Sequence, residues 1–264
     1  MDSALFIIGV IGNIISVMVF LSPTKTFWRI VRKGSTEEFE PAPYVFTLLN
    51  ALLWLYYGVT KPDGFLIATV NGFGAFMEAL YIVLFHVYAA DHATRVKTAK
   101  LAAALDIGGF GVVFMIATFA IRELDLRIMV IGMICVCLNV LMYASPLAAM
   151  VRFIFVSQTT YKLTNPFVRA QLYCQFVHAW QTETVITTRS VEFMPFLLSF
   201  FLFLNGGVWA AYAALDRDIF LGIPNGIGFV LGSIQLVIYA IYMNSKASQS
   251  SKGLADDDLQ PLLA

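Results

Sequence analysis

Charge is scarce in this chain. Asp, Glu, Lys and Arg make up 13% of its 264 residues, where an ordinary soluble domain carries about a quarter. The charges also cancel, 17 basic against 17 acidic, so nothing in the balance points to a nucleic acid or an acidic partner. Cysteine is limited to three residues. Cys135 and Cys137 share one apolar run and read as small packing side chains rather than as half of a metal site. No Asn-x-Ser/Thr sequon occurs, so glycosylation gives no check on topology. No nucleophile–base pair, metal cluster or phosphate loop stands at working spacing, which excludes an enzyme reading and implies no cofactor. The period-2 alternation of membrane strands is missing too, which excludes a spanning barrel.

Apolar sequence is what remains: 59% of the residues are hydrophobic. Seven stretches are long enough to cross roughly 30 Å of hydrocarbon as helix. They are Leu5–Ser22, Tyr44–Thr60, Gly64–Ala90, Leu101–Ile121, Ile128–Met150, Phe193–Leu215 and Ile219–Met243. The first has Asp2 where a cleaved signal has a basic region, and its full length reads as a span. Lys and Arg fix the orientation. Thirteen fall in the loops after spans 1, 3 and 5 and in the tail, and four (Lys61, Arg122, Arg127, Arg217) fall opposite. The positive-inside rule then places the N-terminus outside and the C-terminus in the cytosol.

The chain repeats itself once. Ser22-Pro23, Glu38-Phe39, Pro43, Asn50, Trp54, Tyr57 and Asn71-Gly72 recur in order as Ser145-Pro146, Glu192-Phe193, Pro195, Asn205, Trp209, Tyr212 and Asn225-Gly226. Asn50 to Trp54 and Asn205 to Trp209 share one spacing, and Trp54 to Asn71 and Trp209 to Asn225 differ by one residue. Residues 5–90 form the first three-span unit and 128–243 the second. Three is odd, so copies joined directly would lie upside down to each other. The span at 101–121, which matches neither copy, acts as an inversion linker and makes them parallel. The expected fold is an all-α membrane protein of seven transmembrane helices in a 3+1+3 arrangement, a repeat class that encloses a central path. Asp106, near the linker's start, reads as interfacial or hydrogen-bonded rather than functional.

The copies differ in one segment. Pro23 to Pro43 is 20 residues and Pro146 to Pro195 is 49, which leaves an extra stretch at about 151–182. It lacks span length, and Asn165-Pro166 breaks it. Two origins stay open: a cytosolic loop insertion, or an unspliced intron, since Val151-Arg152 can be encoded GTAAGA and Gln181 CAG. Residues 244–264 read as a disordered cytosolic tail. It ends in Asp256 to Leu263, which either resembles an acidic dileucine sorting signal or is coincidence.

Four side chains at bilayer depth carry the chemistry. Asn71 and Asn225 hold equivalent places in long apolar helices, and each amide offers two donors and an acceptor. Facing lipid they would be unsatisfied, so both are expected to face the bundle interior, either as interhelical bonds or as a substrate site. The symmetric pairing beside glycines favours the site. Trp54 and Trp209 lie toward the outer ends of their spans, where interface anchoring is the plainer role. Indole faces also stack on the C–H faces of sugar rings. Two Trp and two Asn make an uncharged site suited to a neutral polyol. Pro23, Pro43, Pro146 and Pro195 lie at the cytosolic ends of spans 1, 2, 5 and 6, where they interrupt backbone bonding and suit a gate or hinge. Glu78 and His86 are the residues of span 3 that could move protons. A structural hydrogen bond ranks first for Glu78, because Gly232 stands opposite it in the repeat.

These motifs, with Pro43-Tyr44, Val70-Asn71-Gly72, Tyr143-Ala144-Ser145-Pro146, Ser190 to Pro195 and Pro224-Asn225-Gly226, resemble the SWEET family of plant sugar transporters. The resemblance runs from Leu5 to Met243 apart from the extra segment. It implies passive, bidirectional movement of mono- or disaccharides by alternating access, in homo- or hetero-oligomers, in the plasma or the vacuolar membrane. It implies that Asn71 and Asn225 bond sugar hydroxyls, that Trp54 and Trp209 line the same cavity, and that the four prolines form the intracellular set. Members that handle sucrose often carry smaller side chains at the two Trp positions, so two bulky residues point to a hexose such as glucose. Competing readings are a proton-coupled transporter using Glu78, a seven-helix receptor, and an inert scaffold for functional copies.

Overall fold

The computed structural model describes residues 3–37, 39–155 and 196–257, with side chains in 3–37, 39–141, 199–237 and 239–240. The first span is α1, Ser3–Leu21. It breaks at Ser22-Pro23, where Pro23 has no N–H to continue the ladder. The chain resumes at once as α2, Thr24–Lys33, in what the sequence alone presents as a loop. Apolar side chains three apart explain this second helix: Phe27 and Ile30 are buried while Lys25, Arg29, Arg32 and Lys33 stay exposed, a short amphipathic stripe. Gly34 ends it in a left-handed conformation, φ 67°, which only glycine adopts without cost.

Helix α3, Ala42–Thr60, opens with Pro43 in its first turn, where the missing N–H costs nothing. Helix α4 is Phe65–Tyr88. The linker starts earlier than the apolar run suggests. Asp91 caps it by accepting from the Thr94 N–H at 2.5 Å, and a polar turn then leads in. It continues as α5, His92–Ala102, a π-type turn at Ala103–Gly109, α6 at Phe110–Met115 and a second π-type turn at Ile116–Ala120. The second half holds α7, Leu124–Phe155, α8, Phe196–Asp216, and α9, Ile219–Asp257. Among the described residues there is no strand, and six helical runs are long and apolar enough to cross a membrane.

Two boundaries correct the sequence reading. Helix α9 runs on to Asp257, through residues 244–257 that were expected to be disordered. Extending a helix already nucleated is far cheaper than starting one, and no proline intervenes before Pro261. Pro146 lies inside α7 rather than at its end, and that helix also takes in 151–155, the start of the extra segment. The rest of that segment, Pro195 and the dileucine-like end fall outside the described residues.

Packing repeats with the sequence. Helix α3 lies on α4 as α8 lies on α9, and α1 on α4 as α7 on α9. Each copy's first helix also crosses to the other's second, α1 to α8 and α7 to α3. The linker leans on the first copy, where Tyr56 and Thr118 hydroxyls bond at 2.7 Å. Residues from both halves share one buried core, including Leu53, Tyr57, Ile67, Ile131 and Tyr212. Backbones meet closely at Gly206, where a Cβ would stand 2.7 Å from the Phe229 nitrogen.

Candidate functional site

A cavity of about 240 Å³ lies between the two copies. It is smaller than the roughly 300–1,000 Å³ of sites for drug-sized ligands. Trp54 and Asn71 line it from the first copy, and Trp209 and Asn225 from the second, so all four side chains singled out by the repeat converge there. Both indoles are buried. Each packs edge-on against the tyrosine three residues on, Trp54 on Tyr57 at 5.4 Å and Trp209 on Tyr212 at 5.3 Å. A Cβ on Gly12 would stand 3.0 Å from the Trp209 ring, so glycine there lets α1 approach the indole.

The two key amides are held alike. Asn71 donates to the Ile67 carbonyl at 2.9 Å, and Asn225 donates to the Leu221 carbonyl at 2.8 Å. One N–H of each thus orients the side chain on its own helix. The other N–H and the amide oxygen have no partner among the described residues and are the groups a ligand could use.

Four further polar residues line the same space: Ser16, Asn50, Asn139 and Asn205. In the sequence Asn50 and Asn205 stand out only as landmarks of the repeat, and Ser16 and Asn139 do not stand out as repeated residues. The signal was there, because Ser16 and Asn139 each stand seven residues before a repeated proline, Pro23 and Pro146. They tie the copies together in matched pairs. Ser16 donates to Asn205 Oδ1 at 2.5 Å, and Asn139 donates to Asn50 Oδ1 at 3.0 Å. Trp209 adds its N–H to Ser16 Oγ at 2.9 Å. Among the described residues, no charged side chain lines the cavity.

Charge gathers instead at the end of the bundle that carries the α3–α4 turn. Lys61 bonds Asp216 and Asp218, each at 2.5 Å. The Tyr57 hydroxyl donates to both Asp218 oxygens, at 3.0 and 2.9 Å. Asp218 also caps α9 by accepting from the Leu221 N–H at 3.0 Å. Lys61 and Asp216 hold equivalent places, each seven residues after the repeated tryptophan, so their bridge straddles the axis relating the copies. The four residues latch the halves together beyond the cavity. In the sequence Tyr57 stands out only as a landmark of the repeat, and Lys61 and Asp216 are hidden because the repeat has unlike residues at their shared position.

In the first copy Pro23 stands at the α1–α2 break and Pro43 in the first turn of α3. Glu78 is buried, with Oε2 unbonded among the described residues, and it does not line the cavity; His86 is exposed. Asp106 is buried in the first π-type turn with neither oxygen bonded among the described residues, where a hydrogen bond or an interfacial position was expected. At the α2–α3 turn, Lys33 and Arg29 pair with the exposed Glu37. The Lys33 bond, helped by Arg29, holds that carboxyl below its ordinary pKa.

The family model described as "Sugar efflux transporter for intercellular exchange" matches residues 6–93 and 180–247. The chain is 45% identical to bidirectional sugar transporter SWEET17 of Arabidopsis thaliana, over 97% of this chain and 92% of that one. It is 43% identical to SWEET16 of the same plant, over 98% of each. A solved eukaryotic SWEET transporter superposes with a TM-score of 0.75 at 36% identity, covering 91% of this chain and 97% of that one, which supports the 3+1+3 fold. The chain is a membrane protein of the SWEET family of bidirectional sugar transporters, and not an enzyme.

Proposed function

We propose that this chain moves a hexose, glucose above all, down its gradient in either direction by alternating access. The carrying observation is the make-up of the cavity: two buried indoles, five Asn side chains and one Ser around about 240 Å³, with no charged group among its described lining. Hydroxyl-rich solutes need many donors and acceptors at fixed places, which amides supply. They also have C–H faces, which the indoles can cover. An ion or a zwitterion would leave its charge uncompensated in such a site. The small volume favours one sugar ring over two.

Asn71 and Asn225 are the residues assigned to the sugar hydroxyls, and Trp54 and Trp209 those assigned to its faces. Asn50, Asn139, Asn205 and Ser16 narrow the space between them. With the N-terminus outside, the Tyr57–Lys61–Asp216–Asp218 latch closes the outer mouth, and Pro23, Pro43, Pro146 and Pro195 serve the inner one. Glu78 takes no part in coupling, since it stands outside the cavity wall.

The test is labelled-sugar flux in proteoliposomes. Asn225→Ala is expected to abolish most glucose flux while leaving the amount of folded protein near the native level. Unchanged flux would remove Asn225 from the site, and faster sucrose than glucose flux in the native chain would overturn the hexose assignment.

A further inference from the structure

Among the described residues, one polar side chain outside the cavity bonds across the proline break of the first copy. Tyr81, on α4, donates to the Phe20 carbonyl at 3.1 Å, and its hydroxyl meets Thr24 Oγ1 at 2.9 Å. Phe20 precedes Ser22-Pro23 and Thr24 follows it. Pro23 disrupts the ladder here, and the Phe20 carbonyl accepts instead from the tyrosine. The ring below the hydroxyl is fixed as well. It stacks on Phe27 of α2, 4.5 Å between centres at 14°. Phe27 in turn packs edge-on against Tyr44, the residue after Pro43, at 4.8 Å. The α1–α2 break and the start of α3 are therefore both joined to one residue of α4.

We infer that Tyr81 is a positioning residue of the transport cycle, stapling the α1–α2 break so that the inner end of the first copy moves as one arm. This rests on the transport reading above. It gives Pro23 a different part from that of a free pivot, because a break held from both sides cannot flex independently of α4. Counting from Asn71 and Asn225, Gln235 stands in the second copy where Tyr81 stands in the first. Glutamine has neither a phenol hydroxyl nor a ring, so a tyrosine staple belongs to the first copy alone.

The experiment places spin labels at Ile11 and Val31, two exposed positions on either side of the break, with the three native cysteines replaced. Tyr81→Phe keeps the stacked ring and removes only the hydroxyl, and Thr24→Val removes one partner of the same staple. Each is expected to broaden the label distance distribution and to change net glucose flux about fivefold, the usual scale for one net hydrogen bond. The double variant is expected to add little to either single one. Gln235→Ala is expected to leave the distribution as it was. A native-like distribution and flux in Tyr81→Phe would overturn the inference, as would full additivity in the double variant. Broadening by Tyr81→Phe, together with no glucose flux from the native chain, would keep the staple and refute the transport reading instead.

Discussion

Asp218→Asn is the most informative change at the latch. The native carboxylate is fully buried and accepts from the Tyr57 hydroxyl, the Lys61 ammonium and the Leu221 N–H. The amide keeps an acceptor for the cap on α9 but withdraws the charge that Lys61 and Tyr57 share. Breaking a buried pair outright costs about 3–5 kcal/mol. Here Lys61 retains Asp216 at 2.5 Å, so the loss is nearer that of one charged hydrogen bond, about 2 kcal/mol. That shifts the balance between latched and unlatched forms by about thirtyfold. The assay uses a single cysteine at Val70, which lines the cavity, in a background without the native three. An impermeant maleimide added on the side of the latch is expected to label Asp218→Asn at least tenfold faster, and net glucose flux is expected to fall. Labelling and flux within twofold of the native values would refute the latch.

Three other outcomes follow from the geometry. Gly206→Ala, whose Cβ would stand 2.7 Å from the Phe229 nitrogen, is expected to lower the thermal midpoint sharply, while Gly226→Ala, with open space around it, is expected to leave it near native. Asn139→Ala and Asn50→Ala remove opposite ends of one 3.0 Å bond between the copies, so their effects on glucose affinity are expected to be non-additive in the double variant. Glu37 has its pKa lowered by Lys33 and Arg29, so the stability it contributes is present above the ordinary carboxylate value and lost as pH falls through the lowered one. The thermal midpoints of the native chain and Glu37→Gln are therefore expected to converge on acidification, with only a small gap at neutral pH because the pair is exposed.

Much of the fold could be read from the sequence, for reasons that particular residues make plain. Span length is dictated by the hydrocarbon, and Asn71 and Asn225 stand out because polar groups at that depth need partners. The repeat located Trp54 and Trp209 by spacing, and the structure places all four around one cavity. What escaped the sequence depended on features with little apolar signal or no internal copy. Helix α2 is too short for a span and is revealed only when Phe27 and Ile30 find a core to bury in. Ser16 and Asn139 are equivalent in position but unlike in type, so they leave no repeated letter in the sequence. Lys61 and Asp216 are likewise equivalent and opposite in charge. Their pairing emerges only when the two copies face each other across an axis. The tail beyond Met243 looked disordered by composition, yet a helix already formed carries it on to Asp257.

The central claim is that this cavity passes a hexose without coupling. Labelled glucose flux, inward and outward, in proteoliposomes holding the full chain tests it most directly, with a chain lacking 151–182 beside it and an uncoupler added in parallel. Flux that follows the glucose gradient in both directions, exceeds that of sucrose and ignores the uncoupler in at least the shortened chain is the expected result. Flux that collapses with the proton gradient, or no glucose flux from either chain, would contradict it.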